Sequence, residues 1–235
     1  MDSRFEDFDR NYTAVCEKIE KAAADSGRNS QDIILLAATK TVPVEVINYS
    51  YKKGVKYMGE NRVQEFLSKE EFLDKGFHRQ FIGTLQTNKV KQIVGKVELI
   101  QSVDSLKLAK EISKQSLNKG IVSDVLVEIN IGDEEAKSGL DKSKLDELLG
   151  EISNLEGIYV KGLMTLGPVF ESNTQKSRFF DEMYKLFVDN RAKIYDNINM
   201  DILSMGMSDD YDLAIKCGAN MVRVGSALYG KRNYN

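Results

Sequence analysis

The sequence is poor in histidine, proline and cysteine, with one, two and two among 235 residues, and each scarcity excludes something. Cys16 and Cys217 lie far apart, with no CxxC pair and no histidine cluster beside them. They form neither a disulfide framework nor a metal centre. Two prolines and no Gly/Ser-rich stretch leave no sign of a linker, so a single domain over 1–235 is expected. Neither charge dominates: 33 basic residues stand against 36 acidic ones, for a net charge of −3 and no long run of one sign. A nucleic-acid surface normally shows a basic stripe, so no nucleic-acid partner is expected. No apolar stretch approaches the ~20 residues that span a bilayer. The opening Met-Asp-Ser-Arg-Phe-Glu-Asp-Phe-Asp is acidic and amphipathic, unlike a signal peptide. These absences predict a soluble, cytoplasmic protein with no membrane partner. What is present is a full core, with 42% hydrophobic and 29% charged residues.

Phe5, Phe8, Tyr12, Val15 and Ile19 recur at helical spacing, predicting an amphipathic helix over 3–26 closed by Gly27. The segment 1–30 is thus an N-terminal helix packed on the rest of the domain. Strand-like runs come next at 33–39, 55–58, 78–83, 97–103, 124–130, 158–164, 202–206 and 221–225. Helical patterns lie between them. Leu145, Leu148, Leu149, Ile152 and Leu155 follow a cap at Asp141, and Phe180, Met183, Tyr184 and Phe187 trace another face. Asp104 or Ser105 opens a helix that carries Leu108, Ala109 and Ile112 and stops at Gly120. Alternation of this kind demands parallel strands joined by crossovers. A doubly wound open sheet is the rival, but eight alternations without a linker favour a closed (β/α)8 TIM barrel with an extra N-terminal helix.

In such a barrel the working face is built from the C-terminal strand ends. The first apolar run ends at Lys40, just before Pro43, which suits the first residue of a helix. A lone strand-end lysine usually keeps its head in water. Withdrawn from water, it becomes a nucleophile toward a carbonyl. Ile34, Leu36, Ala38 and Lys40 share one face, and if that face is inward, small Ala38 leaves room beneath the lysine. The other strand ends carry amides, hydroxyls and glycines and few acids, which suits a polar organic ligand better than a divalent metal. At the last two ends, Ser204-Met-Gly-Met-Ser208 and Gly225-Ser226 each run into a helical start. Small residues there expose backbone N–H groups to an anion. Two such segments opposite a lysine suggest a phosphate. Two chemistries fit: a Schiff-base sugar-phosphate aldolase, or pyridoxal 5′-phosphate held by the lysine.

Six stretches in order then carry a resemblance: Ala38-Thr-Lys40-Thr-Val-Pro43, Gly59-Glu-Asn-Arg-Val-Gln-Glu65, Ile82-Gly-Thr-Leu-Gln-Thr-Asn-Lys89, Gly162-Leu-Met-Thr165, Ser204-Met-Gly-Met-Ser-Asp209 and Val222-Arg-Val-Gly-Ser-Ala-Leu-Tyr-Gly230. Together, over roughly 33–230, the chain is similar to the pyridoxal phosphate homeostasis protein family, itself resembling the alanine racemase barrel domain. The resemblance implies that Lys40 holds pyridoxal 5′-phosphate as an aldimine and that Arg223 faces the pyridine nitrogen. It further implies that Ser204, Gly225 and Ser226, with the neighbouring turn, hold the phosphate, and that Asn61 and Met205 wall the pocket. Two departures stand out. The family commonly has Trp-His before Phe-Ile-Gly, whereas Arg79-Gln80 precede Phe81 here, and Asn220 replaces a usual serine or threonine. Gln80 can hydrogen-bond but carries no proton at neutral pH, so no step is expected to use a histidine. His78 reads as a structural or exposed residue, and the Asn220 change as minor.

An arginine at the ring nitrogen disfavours its protonation and weakens carbanion chemistry. The sequence runs five residues past Gly230, so the second domain that completes a racemase site is not expected. The expected function is therefore vitamin B6 homeostasis: reversible cofactor binding, with buffering and delivery to pyridoxal phosphate-dependent apoenzymes, rather than robust catalysis. A weak amino-acid racemase is the runner-up and a cofactor-free aldolase the third reading. No long exposed apolar stripe demands a dimer, so a monomer is expected.

Overall fold

Ile34–Ala38 (β1) is apolar at every position, as suits a strand covered on both faces. The computed structural model describes residues 3–131, 138–168, 172–193 and 195–230. The further strands are Tyr57–Glu60 (β2), His78–Phe81 (β3), Leu99–Val103 (β4), Ser123–Asn130 (β5), Leu140–Asp141 (β6), Ile158–Met164 (β7), Ile198–Ser204 (β8) and Met221–Val224 (β9). Apart from β6, a short addition to β5, they pair in parallel in the order β4-β3-β2-β1-β9-β8-β7-β5, and β4 meets β5 to close the ring. The expected eight-stranded barrel is the observed one. Its helices are Ser3–Asp25 (α1), Val44–Lys52 (α2), Val63–Lys69 (α3), Val90–Ile93 (α4), Leu106–Asn118 (α5), Leu145–Ile152 (α6), Asn173–Arg191 (α7), Tyr211–Lys216 (α8) and Ser226–Tyr229 (α9). No helix among the described residues is long and apolar enough to cross a membrane.

Several boundaries differ from the sequence expectation, among them β2, read at 55–58 and observed over Tyr57–Glu60. Strand β8 runs over Ile198–Ser204 rather than 202–206. Its first half alternates buried Ile198 and Met200 with exposed Asn199 and Asp201, so its pattern is that of a half-covered strand. Pro43 is the cap of α2 rather than its first helical residue: its φ of −63° and ψ of 146° are extended. Its carbonyl accepts from the N–H groups of Val46 and Ile47, so the first turn hangs on it.

Side chains divide by strand parity into two cores. Leu36, Ile82, Leu99, Leu126, Met164 and Met221 fill the barrel interior, with Ile34 and Ala38 packed against them. The larger cluster, including Ala37, Met58, Phe81, Ile100 and Leu203, lies between strands and helices. Each buried Leu, Ile, Met or Phe side chain among them contributes about 1.5–3 kcal/mol. The parity question at β1 is thereby answered: the face of Ile34, Leu36 and Ala38 points inward.

Helix α1 buries Phe8, Val15, Ile19, Ala22 and Ala23 as one stripe. It stops where Gly27 takes a φ of +70°, and the Arg28 N–H then returns to the Ala23 carbonyl. Arg28 donates to the carbonyls of Ile215 and Ala219, and Asn11 donates to that of Leu228 at 3.1 Å. The N-terminal helix thus fixes the last two βα units, which carry the serine and glycine turns. His78 is exposed, stacked on Tyr57 with its Nδ1 2.7 Å from Glu98, as its reading as a structural residue implied. Asn220 does more than expected: its amide accepts from the Leu203 N–H and donates to the Asp201 carbonyl, lacing β9 to β8.

Candidate functional site

The inward face of β1 continues past Ala38 to Lys40, which lines a cavity of about 450 Å³ at the barrel mouth with Asn61, Ile82, Met207 and Arg223. A second cavity of about 740 Å³, bounded by α1 and the start of α9, is lined by Lys40 together with Gly225 and Ser226. Lys40 therefore borders both spaces, with Arg223 and Asn61 on one side and the last glycine–serine turn on the other. Among the described residues no group of histidines, cysteines and acids could hold a metal ion.

Arg223 projects inward from β9 and is 4% exposed. Its guanidinium donates to Ser204 Oγ at 2.6 Å and to the Thr165 carbonyl at 2.7 Å. Burial lowers its pKa to about 10, with Glu128 and Asp210 opposing that shift through their charge. It remains charged at neutral pH. A guanidinium only donates, so Ser204 accepts from it and donates its own O–H to Gln101 Oε1 at 2.7 Å. Gln101 Nε2 in turn donates to Gln80 Oε1 at 2.5 Å. The chain Arg223–Ser204–Gln101–Gln80 is directed from one end to the other, and Gln80 closes it without a titratable group.

The residues expected to form the site separate into two sets. Lys40, Asn61, Arg223, Gly225 and Ser226 line the two cavities. Ser204 is fully buried and committed to Arg223 and Gln101, so it positions the arginine rather than bordering the phosphate-type turn. Met205 is fully buried in the outer core, and the methionine in the cavity wall is Met207. Strand parity explains both: Ser204 faces in, Met205 faces out with Leu203, and the chain turns only at Gly206 with φ +91°.

Ser208, which the strand-end reading does not single out, also stands at the last glycine–serine turn. Its Oγ accepts from the N–H groups of Gly225 at 3.1 Å and Ala227 at 3.2 Å, across from the preceding βα turn. The two N–H groups thus converge on one acceptor, as they would on an anion oxygen. A signal for it exists in the sequence, since Ser208 closes the Ser204–Ser208 segment. Ser208→Ala leaves those donors without that acceptor, and in phosphate-free buffer it should cost about 1 kcal/mol by urea denaturation. Added inorganic phosphate should recover part of that loss.

Asn61 Oδ1 is buried and has no hydrogen-bond partner among the described residues. Buried side-chain amides are nearly always satisfied, so its place in the cavity wall fits a ligand that carries a polar group there. A Cβ on Gly225 would lie 3.3 Å from the Ala38 carbonyl oxygen, so the turn passes close to the strand that leads to Lys40.

A family profile described as alanine racemase, N-terminal domain, matches residues 14–233. The chain is 46% identical over 221 residues to the pyridoxal phosphate homeostasis protein of Aquifex aeolicus, covering 94% of this chain and 96% of that one. A crystal structure of an unknown protein from Bifidobacterium adolescentis superposes with a TM-score of 0.92 at 34% identity, covering 97% of both chains. PipY of Synechococcus elongatus, with PLP bound, superposes with a TM-score of 0.80 at 27% identity, over 91% of this chain and all of that one. By full-length identity, matching profile and shared barrel, the chain belongs to the pyridoxal phosphate homeostasis protein family, built on the alanine racemase N-terminal domain.

Proposed function

We propose that this protein binds pyridoxal 5′-phosphate reversibly through Lys40 and serves in its homeostasis, buffering the free aldehyde and delivering it to apoenzymes. The observation that carries the reading is the position of Lys40, on the inward face of β1 and bordering both the Arg223–Asn61 cavity and the Gly225–Ser226 turn. The ligand of PipY is the same cofactor.

The residues present fit that group. Asn61 Oδ1, unpartnered among the described residues, offers an acceptor, and the turn whose Gly225 and Ala227 N–H groups converge on Ser208 Oγ offers, with Ser226, the shape of an anion cradle. When bound, the cofactor supplies an aldehyde carbon and a ring that takes up electrons when its nitrogen is protonated. Lys40 would supply the Nζ that holds this aldehyde covalently, the carbonyl oxygen leaving as water. Arg223, assigned to the ring-nitrogen side, presents a fixed positive charge and no acceptor, so it opposes nitrogen protonation. Gln80, at the far end of its hydrogen-bond chain, supplies no proton either. These features favour holding the cofactor over carbanion chemistry.

Reduction of the pyridoxal phosphate-treated protein with borohydride, followed by peptide mass spectrometry, should find a pyridoxyl group on Lys40. Its absence, or a modification confined to another lysine, overturns the assignment. The alanine racemase profile favours a second reading, a weak pyridoxal phosphate-dependent amino-acid racemase. Exchange of the amino-acid α-proton in deuterated water separates the two. The binding role predicts exchange far below ordinary enzyme turnover of about 1 per second or more.

A further inference from the structure

Behind the strand end that presents Lys40 lies an ionic cluster that no step above uses. Lys69, the last residue of α3, is buried with its ammonium 2.7 Å from Glu60 Oε1, 2.6 Å from Glu65 Oε1 and 3.0 Å from the Thr39 carbonyl. Its three N–H bonds are thereby matched to three acceptors. Thr39 Oγ1 donates to the same Glu60 oxygen at 2.8 Å, and Glu65 Oε1 also accepts the Thr41 N–H. Thr41 Oγ1 closes the arrangement on the Lys40 carbonyl at 2.6 Å.

Every contact of this cluster with the β1 end therefore falls on the residues flanking Lys40 or on its own carbonyl. Parity keeps the cluster off the cavity side: Ala38 faces inward and the fully buried Thr39 faces the helices. Thr41 has a φ of +65°, the one non-glycine residue with positive φ among the described residues. A β-branched residue takes that conformation only where its surroundings hold it there, and such strain collects where geometry serves function. A simple staple of α3 to the barrel would need neither that turn nor contacts on both flanks of one residue.

We propose that Lys69 is a positioning residue for Lys40: through Glu60 and Glu65 it clamps residues 39 and 41 from behind the barrel wall and so sets where the Lys40 amine stands. The inference rests on the reading that Lys40 carries the cofactor. It deepens that reading, because a small displacement of a reacting group is costly when the rest of the ligand is fixed.

Two variants test it. Lys69→Met/Glu60→Gln removes opposite charges together, so no bare charge is left buried by that pair. Glu65→Ala releases the Thr41 N–H and leaves the Lys69–Glu60 bond in place. Each is titrated with pyridoxal phosphate, following the visible absorbance across pH, with borohydride mapping of Lys40 and circular dichroism of the cofactor-free protein. The expected result is a folded barrel with affinity weakened about tenfold in the double variant and about threefold in Glu65→Ala, and a displaced pH midpoint in both. Affinity and pH midpoint within twofold of the parent in a folded variant overturn the proposal; if the double variant does not fold, Glu65→Ala decides on the same criterion. A parent protein that shows no Lys40 adduct overturns the cofactor reading instead, so the two failures are told apart.

Discussion

Arg223→Met is expected to leave the cofactor-free protein as stable as the parent or up to about 2 kcal/mol more stable, while weakening pyridoxal phosphate binding about tenfold or more. Burial brings the guanidinium from 12.5 to about 10, a gap of roughly 3 kcal/mol against the charged form. For a base with a depressed folded value, that cost is present at every pH below the folded pKa. It therefore applies in full across the neutral range. Methionine removes the charge and keeps much of the volume, and the stranded Thr165 carbonyl takes back about 1–2 kcal/mol. Glu128 and Asp210 favour the charge only through space, since no ion pair with Arg223 is formed among the described residues. Urea unfolding without cofactor measures the balance. A loss beyond about 2 kcal/mol would mean that those two acids neutralise the arginine after all. Unchanged cofactor affinity would remove Arg223 from the binding site.

Gly83→Ala should act in the opposite way, damaging stability and site at once. A Cβ at this position would lie 2.1 Å from the Asn61 carbonyl oxygen and 2.7 Å from the Asn61 Cα. Both obstacles are backbone, so no side chain can rotate aside, and the loops after β2 and β3 must part. We expect a loss of about 3 kcal/mol, at the upper end for overpacking. Asn61 moves with its backbone, so cofactor affinity should fall about tenfold or more. Chemical denaturation and absorbance titration read the two effects separately. A variant within about 1 kcal/mol of the parent would show that the two loops separate without strain.

The barrel is legible in the sequence because its signal is local: apolar runs such as Ile33–Ala38 alternate with helical faces and caps. Ser105 accepts from the Leu108 N–H, and Asp141 accepts from that of Ser143 at the start of a 3₁₀ turn leading into α6. The site is legible where a residue's place depends on one strand end, as with Lys40 and Arg223. Legibility fails where the count runs through a turn. Grouping Ser204 and Met205 with the loop overlooks the strand parity that still governs them, and Met207 and Ser208 lie past the Gly206 bend that ends that parity. Of the Lys69 clamp, only the Glu65–Lys69 pair, four residues apart on α3, leaves a sequence signal. The Lys69 bond to the Thr39 carbonyl spans 30 residues and joins two βα units, and no spacing rule reaches that far.

The hydrogen-bond chain that leaves Arg223 has a further consequence. A proton relay works only if each member can reverse its role, donating after it has accepted. Here the first member can never accept, so the Ser204 hydroxyl and the Gln101 amide are locked into one sense and Gln80 receives the last bond. This chain is then an insulator toward protons. No proton leaves the Arg223 side along this chain toward Gln80.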